Sequence, residues 1–244
     1  MNFFAALCFM FATGVKAFPL TNIDKNMDNI FKQNIAWKER MEAADPEYFS
    51  NLGSNVSPNY MWIGCSDARV PANEVMGEDA GSVFVLRSVA NMVVNTDFNL
   101  MSALQFAVDY LKIPHIIVCG HYDCGGVRAS TANKDHKPPL ENWLRNIRDV
   151  YRLHKTELDA IADPELRHRR LVELNTIEQC LNLFKTGVVQ RARVESFKKE
   201  GNEYTTPRIH ACVFDPKTGD LTKLPVSAQS RYTYFVFFCQ ELIT

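Results

Sequence analysis

The sequence predicts an α/β fold, a single domain with a mostly parallel central β-sheet flanked by helices. Short apolar runs at 60–64, 82–87 and 115–120 have the length and composition of buried strands. Between the last two runs, Thr96–Asp97 can cap a helix that extends from 98 to about 111. This alternation of strand, helix and strand favours parallel strands joined by right-handed crossovers.

The segments on either side of these strands are also predicted to be ordered. Residues 22–43 carry apolar side chains at near-helical spacing and predict an N-terminal helical arm. A long helical region is predicted from 164 to about 199, with Gly187 as a break. The runs 208–214 and 221–226 flank a turn-rich segment and predict a hairpin-like end to the sheet.

The composition excludes several classes of function. The 244 residues include 27 basic and 28 acidic side chains, so the net charge of −1 provides no attraction for nucleic acid or an anionic membrane. The seven cysteines are odd in number and irregularly spaced. They therefore indicate free, metal-bound or catalytic thiols rather than a disulfide framework.

Residues 1–17 differ from the rest of the chain. An apolar run leads into Val15-Lys16-Ala17, a pattern typical of a cleavable signal or targeting peptide. The alternative is an apolar arm packed on the domain or on a partner subunit. We expect residues 18–244 to form the folded domain, with secretory or organelle targeting by residues 1–17 or otherwise a cytoplasmic location. No other segment is long and apolar enough to be an integral membrane segment.

Polar residues at two predicted strand ends suggest a metal site. Cys65 follows the first strand, and His121 and Cys124 follow the third. Ligands bind open α/β sheets at the carboxyl ends of strands, so we expect these side chains to meet. Two thiolates and one imidazole are ligands that zinc accepts, and a fourth position would remain open for water. The alternative is a closed structural site, in which Asp67 or another side chain fills that position permanently.

Asp67 and Arg69 lie two residues apart, directly after Cys65. An arginine fork pairs well with a carboxylate and keeps it ionised. The ionised Asp67 could then accept a hydrogen bond from water on the metal. The alternative is a purely structural salt bridge.

The segments Cys-Ser-Asp-Ala-Arg-Val-Pro at 65–71 and His-Tyr-Asp-Cys-Gly-Gly-Val at 121–127 resemble the paired motifs of the beta-class carbonic anhydrases. The resemblance extends over about 22–228. It implies four parallel strands with an added antiparallel strand, one Zn²⁺ per chain, and carbon dioxide and bicarbonate as substrates. It also implies a homodimer or a dimer-based tetramer with active sites at the subunit interface.

The resemblance implies roles for further positions. Phe84, Val89 and Tyr110 match residues that line the family's apolar carbon dioxide pocket, and Gly125 matches a backbone donor to the substrate. One departure is Val56, where the family often has a glutamine that contacts substrate from the neighbouring subunit.

Trp62, Gly64 and Arg87 match a non-catalytic bicarbonate pocket found in a subset of the family. In that subset, bicarbonate favours a closed state, in which the aspartate matching Asp67 leaves its arginine for the metal. Phe214 stands here in place of a tyrosine that helps to hold this bicarbonate, so the site should be weak. The alternative is that Trp62 and Arg87 only pack at the subunit interface.

The implied mechanism is attack on carbon dioxide by zinc-bound hydroxide, which Asp67 orients while Arg69 holds Asp67. His115 and His210 are candidates for a proton shuttle, with purely structural roles as the alternative. Two other functions remain open on the same scaffold: hydrolysis of carbon disulfide or carbonyl sulfide, and a non-catalytic zinc-stabilised subunit.

Overall fold

The computed structural model of this chain describes residues 22–54, 57–200 and 206–225. The predicted targeting segment 1–17 and Val56 lie outside the described residues. The described residues fall into two compact units, one on each side of the boundary between residues 55 and 56.

The described part of the first unit is helical, as predicted. Helix α1 covers Asn22–Ala44 and α2 covers Tyr48–Leu52. The ring of Trp37 packs edge-on against Phe49, with ring centroids 5.4 Å apart. Other large apolar side chains of α1 are exposed, namely Met27, Ile30, Phe31 and Ile35.

The second unit contains a five-stranded sheet in the order β2-β1-β3-β4-β5. The strands are β1 (Tyr60–Cys65), β2 (Val83–Ser88), β3 (His115–His121), β4 (Arg208–Phe214) and β5 (Leu221–Lys223). The first four are parallel, and β5 pairs antiparallel with β4. This confirms the predicted sheet and its hairpin-like end.

Both central strands, β1 and β3, are buried along their length after the first residue. Helices cover both faces of a parallel sheet, so such strands are continuous apolar runs rather than alternating ones. The helices of this unit are α3 (Ala72–Met76), α4 (Phe98–Gln105), α5 (Gly125–Thr131), α6 (Leu140–Leu153), α7 (Lys155–Asp159), α8 (Pro164–Phe184) and α9 (Gly187–Glu200). None of the helices in the described ranges is long and apolar enough to cross a membrane.

Two predicted helices differ in detail from the structure. The helix expected over 98–111 is α-helical only to Gln105 and continues as a π-helical turn over Phe106–Tyr110. The N–H of Leu111 donates to the carbonyl of Phe106 across this wider turn. The long helical region after Pro164 is two helices, and the second begins at Gly187, the predicted break.

Candidate metal centre

Three buried residues meet at the carboxyl end of the sheet. Cys65 is the last residue of β1 and His121 the last of its parallel neighbour β3, while Cys124 precedes α5. Their ligand atoms all lie within 4.8 Å of one another, and the two Sγ atoms are 3.9 Å apart. No other cluster of three or more His, Cys, Asp or Glu side chains among the described residues is close enough to hold a metal ion.

The hydrogen bonding of His121 fits a metal ligand. Its Nδ1 lies 3.0 Å from the carbonyl oxygen of Tyr122, so Nδ1 carries the proton and Nε2 offers its lone pair. Nε2 is buried and has no hydrogen-bond partner, which is rare for a buried polar atom. Two sulfurs about 2.3 Å from one tetrahedral zinc ion would be roughly 3.8 Å apart, close to the observed separation. The three side chains therefore fit a metal ion of this kind.

The surroundings of Cys65 favour the thiolate that a metal requires. Its hydrogen bond with Cys124 lowers the pKa of Cys65 to about 4, against the effect of burial. The N–H of Ala90 also donates to this sulfur, over 3.3 Å. The hydrogen bond between the two cysteines raises the pKa of Cys124 well above its usual range, because the second thiol resists ionising beside the first.

The predicted pair of Asp67 and Arg69 lies beside this cluster. Arg69 donates through Nε to Oδ1 of Asp67 over 2.9 Å and through Nη2 to Oδ2 over 2.8 Å. These bonds hold the pKa of the Asp67 carboxyl well below its usual range. Oδ2 of Asp67 is 3.8 Å from the unpartnered Nε2 of His121. An ionised carboxylate therefore lies at the edge of the three-ligand cluster.

Comparisons with known proteins agree with this geometry. The family model described as carbonic anhydrase matches residues 60–221. A carbonic anhydrase of Emericella nidulans is 50% identical over 204 residues, which cover 84% of this chain and 86% of that protein. The chain belongs to the beta-class carbonic anhydrase family. Its activity is therefore that of a carbonate dehydratase, the reversible hydration of carbon dioxide.

Solved carbonic anhydrases have the same fold. One of two beta-carbonic anhydrases from Sordaria macrospora, described as tetrameric, is 31% identical, with a TM-score of 0.74 over 82% of this chain and 97% of that one. The Coccomyxa beta-carbonic anhydrase, solved in complex with acetazolamide, is 32% identical, with a TM-score of 0.74 over 80% of this chain and 85% of that one.

The residues expected to line a carbon dioxide pocket are only partly brought together. Phe84 and Tyr110 are joined through Phe106, whose ring centroid is 6.1 Å from Phe84 and 5.5 Å from Tyr110. Tyr110 is 71% exposed in the single chain. Val89 packs against Gly126, where an added Cβ would lie 2.7 Å from Cγ1 of Val89. A Cβ at Gly125 would meet nothing within 4 Å, so the backbone there is open.

Trp62, Gly64 and Arg87 lie together in β1 and β2, close to Asp67. The buried Nε1 of Trp62 has no hydrogen-bond partner, and a Cβ at Gly64 would lie 2.1 Å from it. Arg87 is paired in register with Gly64 and donates to the carbonyls of Cys65 and Asp67. The unsatisfied donor of Trp62 therefore lies against Gly64, and Arg87 is hydrogen-bonded to the segment that carries Asp67 and Arg69.

Two buried amide side chains that bond the loop after β2 were not predicted from the sequence. Asn175 Nδ2 donates to the carbonyl of Ala90 over 3.1 Å, and Gln179 Oε1 accepts from the N–H of Val93 over 2.9 Å. These buried amides on α8 fix the loop that carries Val89 and Ala90. Both lie more than 80 residues further along the chain, and no local pattern pairs them with that loop.

His115 and His210, the proton shuttle candidates, are hydrogen-bonded to each other over 3.1 Å. His115 begins β3, whereas His121 ends it. Six steps of an extended strand separate these two residues by roughly 20 Å. This distance supports the alternative, a structural pair at the opposite end of the sheet from the candidate metal ligands.

Proposed function

We propose that this protein hydrates carbon dioxide to bicarbonate and a proton, using one Zn²⁺ per chain held by Cys65, His121 and Cys124. The observation that carries the proposal is the buried, unpartnered Nε2 of His121, which faces two thiols. The donor set also points to zinc, because thiolate and imidazole are its usual protein ligands. Three protein ligands leave one position for the reacting water.

Zinc, when bound, supplies a Lewis acid that makes water a nucleophile near neutral pH. With zinc bound, Asp67 would accept a hydrogen bond from that water and so orient its lone pair towards the substrate. Its carboxylate can only accept, because the pairing with Arg69 keeps the pKa of Asp67 far below neutral. Arg69 fixes the carboxylate through two parallel N–H···O bonds.

Carbon dioxide is apolar, so an apolar surface beside the nucleophile suits it. Phe84, Val89 and Tyr110 are proposed to supply this surface, and the backbone N–H of Gly125 to donate to the product. Tyr110 and Phe106 are too exposed in one chain to exclude water. We therefore propose that a second copy covers them in a homodimer or a dimer-based tetramer. A tetrameric relative from Sordaria macrospora supports this assembly.

A regulatory bicarbonate site is proposed at Trp62, Gly64 and Arg87. The buried Nε1 of Trp62 has no partner and would donate to an anion. Arg87 already donates to the backbone carbonyl of Asp67. An anion that attracts the Arg87 guanidinium would therefore alter the support of the Asp67 segment. Through this contact, bound bicarbonate could favour Asp67 on the metal over Asp67 paired with Arg69.

The role of the pair of Asp67 and Arg69 is tested with Asp67→Asn, in which the side chain has nearly the same shape but lacks the negative charge. We expect the variant to retain zinc and to lose most carbon dioxide hydration, by about 10²-fold or more, because a misplacement of about 1 Å at a reacting group can cost this much. The matched control is Asp149→Asn, because the ion pair of Asp149 among the described residues is with Arg152, on the surface. Wild-type turnover in Asp67→Asn would show that the pair is structural.

A further inference from the structure

Arg69 has contacts beyond its pair with Asp67. Its Nη1 donates to Oδ2 of Asp123 over 3.3 Å, and Nη2 donates to the backbone carbonyl of Asp123 over 3.2 Å. Nε and the other N–H of Nη2 are directed to Asp67. A guanidinium has five N–H groups in a fixed fork. Asp123 therefore adds to the Asp67 pair without competing for the same donors.

The backbone of Asp123 makes the double contact feasible. Its φ is 55°, in the left-handed region, which aspartate adopts more readily than most residues. Asp123 lies in the turn between the ligands His121 and Cys124. From this turn, both its carbonyl and its carboxylate reach the same guanidinium. The contact thus ties Arg69 to the metal-binding turn.

Asp123 is itself held by a second arginine. Arg128 on α5 donates from Nη2 to Oδ1 of Asp123 over 3.0 Å. Arg128 also donates to both oxygens of Glu165, over 2.8 and 3.0 Å, in the first turn of α8. Charges of alternating sign therefore run from the dyad to two helices, in the order Asp67, Arg69, Asp123, Arg128 and Glu165.

Asp67 lies so close to the ligand cluster that the position of its partner Arg69 matters for the metal site. Oδ2 of Asp67 is only 3.8 Å from the ligand atom of His121. A small movement would bring this carboxylate into the fourth metal position, in competition with exogenous ligands. Pairing with Arg69 opposes that movement. Any contact that fixes Arg69 on the side of Asp67 therefore favours an open metal site.

We propose that Asp123 is a positioning residue that holds Arg69 on Asp67 and so keeps the fourth metal position open. This inference rests on the metal site of the proposed function. Asp123 and Arg69 are about half exposed, and exposed ion pairs are individually weak. The expected effect is therefore a shift in the balance between the two positions of Asp67, not a loss of the site.

The test uses the full-length protein with Co²⁺ in place of zinc and follows thiocyanate binding by the visible absorption of the cobalt. Thiocyanate takes an open metal position, so its apparent Kd rises when Asp67 occupies that position. In Asp123→Gly, which keeps the left-handed backbone but lacks the carboxylate, we expect thiocyanate to bind about 2–5-fold more weakly. Asp123→Asn, which removes only the charge, should show a smaller change in the same direction.

Whether Asp123→Gly weakens or strengthens thiocyanate binding distinguishes a positioning role of Asp123 from a direct effect of its charge. Loss of a negative charge near the metal would by itself strengthen anion binding. In an Asp67→Asn background the competing carboxylate is gone, so Asp123→Gly should then leave thiocyanate binding unchanged or slightly tighter. The control Asp149→Asn should match the wild type.

Unchanged or tighter thiocyanate binding in Asp123→Gly with Asp67 present would overturn the proposal, as would an equal weakening in the Asp67→Asn background. A wild-type chain without thiolate-to-cobalt absorption would overturn the metal site itself and the inference with it. A cobalt-loaded wild type that fails to hydrate carbon dioxide would overturn only the proposed function.

Discussion

The close approach of β3 to α8 predicts the outcome of adding one methyl group at Gly120. An added Cβ there would lie 2.2 Å from Oγ1 of Thr176, at least ~1 Å inside ordinary van der Waals contact. Thr176 is fully buried, and its hydroxyl donates to the carbonyl of Val172 over 2.9 Å. Relief requires Thr176 to leave its rotamer and break that bond, or the strand to move. The next residue on that strand is His121, a proposed metal ligand.

Overpacking of this kind costs about 1–3 kcal/mol. For a protein of this size that corresponds to a fall in Tm of about 2–12 °C. We expect Gly120→Ala to show this fall, with weaker zinc retention against a chelator because His121 is displaced. Thermal unfolding of the zinc-loaded protein and chelator competition measure the two effects.

Thr176→Ala should rescue Gly120→Ala. Without the hydroxyl, the closest neighbours of the new methyl are Val172 Cγ1 at 3.4 Å and the Cβ of residue 176 at 3.5 Å, which are ordinary contacts. Thr176→Ala alone should destabilise the protein by about 1–2 kcal/mol, because it removes a buried methyl group as well as the hydroxyl, so the double variant is compared with this single variant. Gly125→Ala is the control, since its methyl would meet nothing within 4 Å. A Gly120→Ala protein as stable as the wild type, or a double variant without rescue, would refute the packing described here.

Three further predictions concern the metal, the regulatory pocket and the assembly. Cys124→Ala should lose zinc and hydration activity together, and zinc analysis finding one full equivalent would contradict the ligand assignment. Carbon dioxide hydration should fall below about pH 8, because water bound to zinc titrates in this range. Added bicarbonate should deepen this fall. Asp67 is not the titrating group: its pKa is lowered, so it stays ionised throughout this range and loses its charge only in strong acid. Arg87→Ala should flatten the bicarbonate effect and keep zinc; pH profiles unaffected by bicarbonate in both proteins would exclude the switch. Light scattering should find at least a dimer, and an active monomer at micromolar concentration would contradict the predicted assembly.

The sheet was predictable because its central strands are buried on both faces. The runs beginning at Tyr60 and His115 are almost entirely apolar, and polar ligands follow immediately at their carboxyl ends. Parallel pairing then brings Cys65 and His121 to the same edge. The cluster of Cys65, His121 and Cys124 and the pair of Asp67 and Arg69 were therefore predictable from sequence pattern and the chemistry of the side chains.

Other features depend on tertiary contacts that no local pattern encodes. The π-helical turn at Phe106–Tyr110 interrupts a segment whose apolar spacing is helical throughout. The contact from Arg69 to Asp123 spans 54 residues and depends on a left-handed backbone at Asp123. The pairing of Arg128 with Glu165 spans a further 37 residues. Charges at such separations have many alternative partners, so sequence alone could not pair them.

The most direct measurement is stopped-flow carbon dioxide hydration by the purified full-length protein, with its zinc content determined on the same sample. We expect about one zinc per chain and hydration far above the uncatalysed rate, with Asp67→Asn close to background. Carbon disulfide and carbonyl sulfide should be poor substrates in a parallel assay. A folded protein with one zinc per chain that hydrates no carbon dioxide, or that prefers either sulfur compound, would contradict the function assigned to this site.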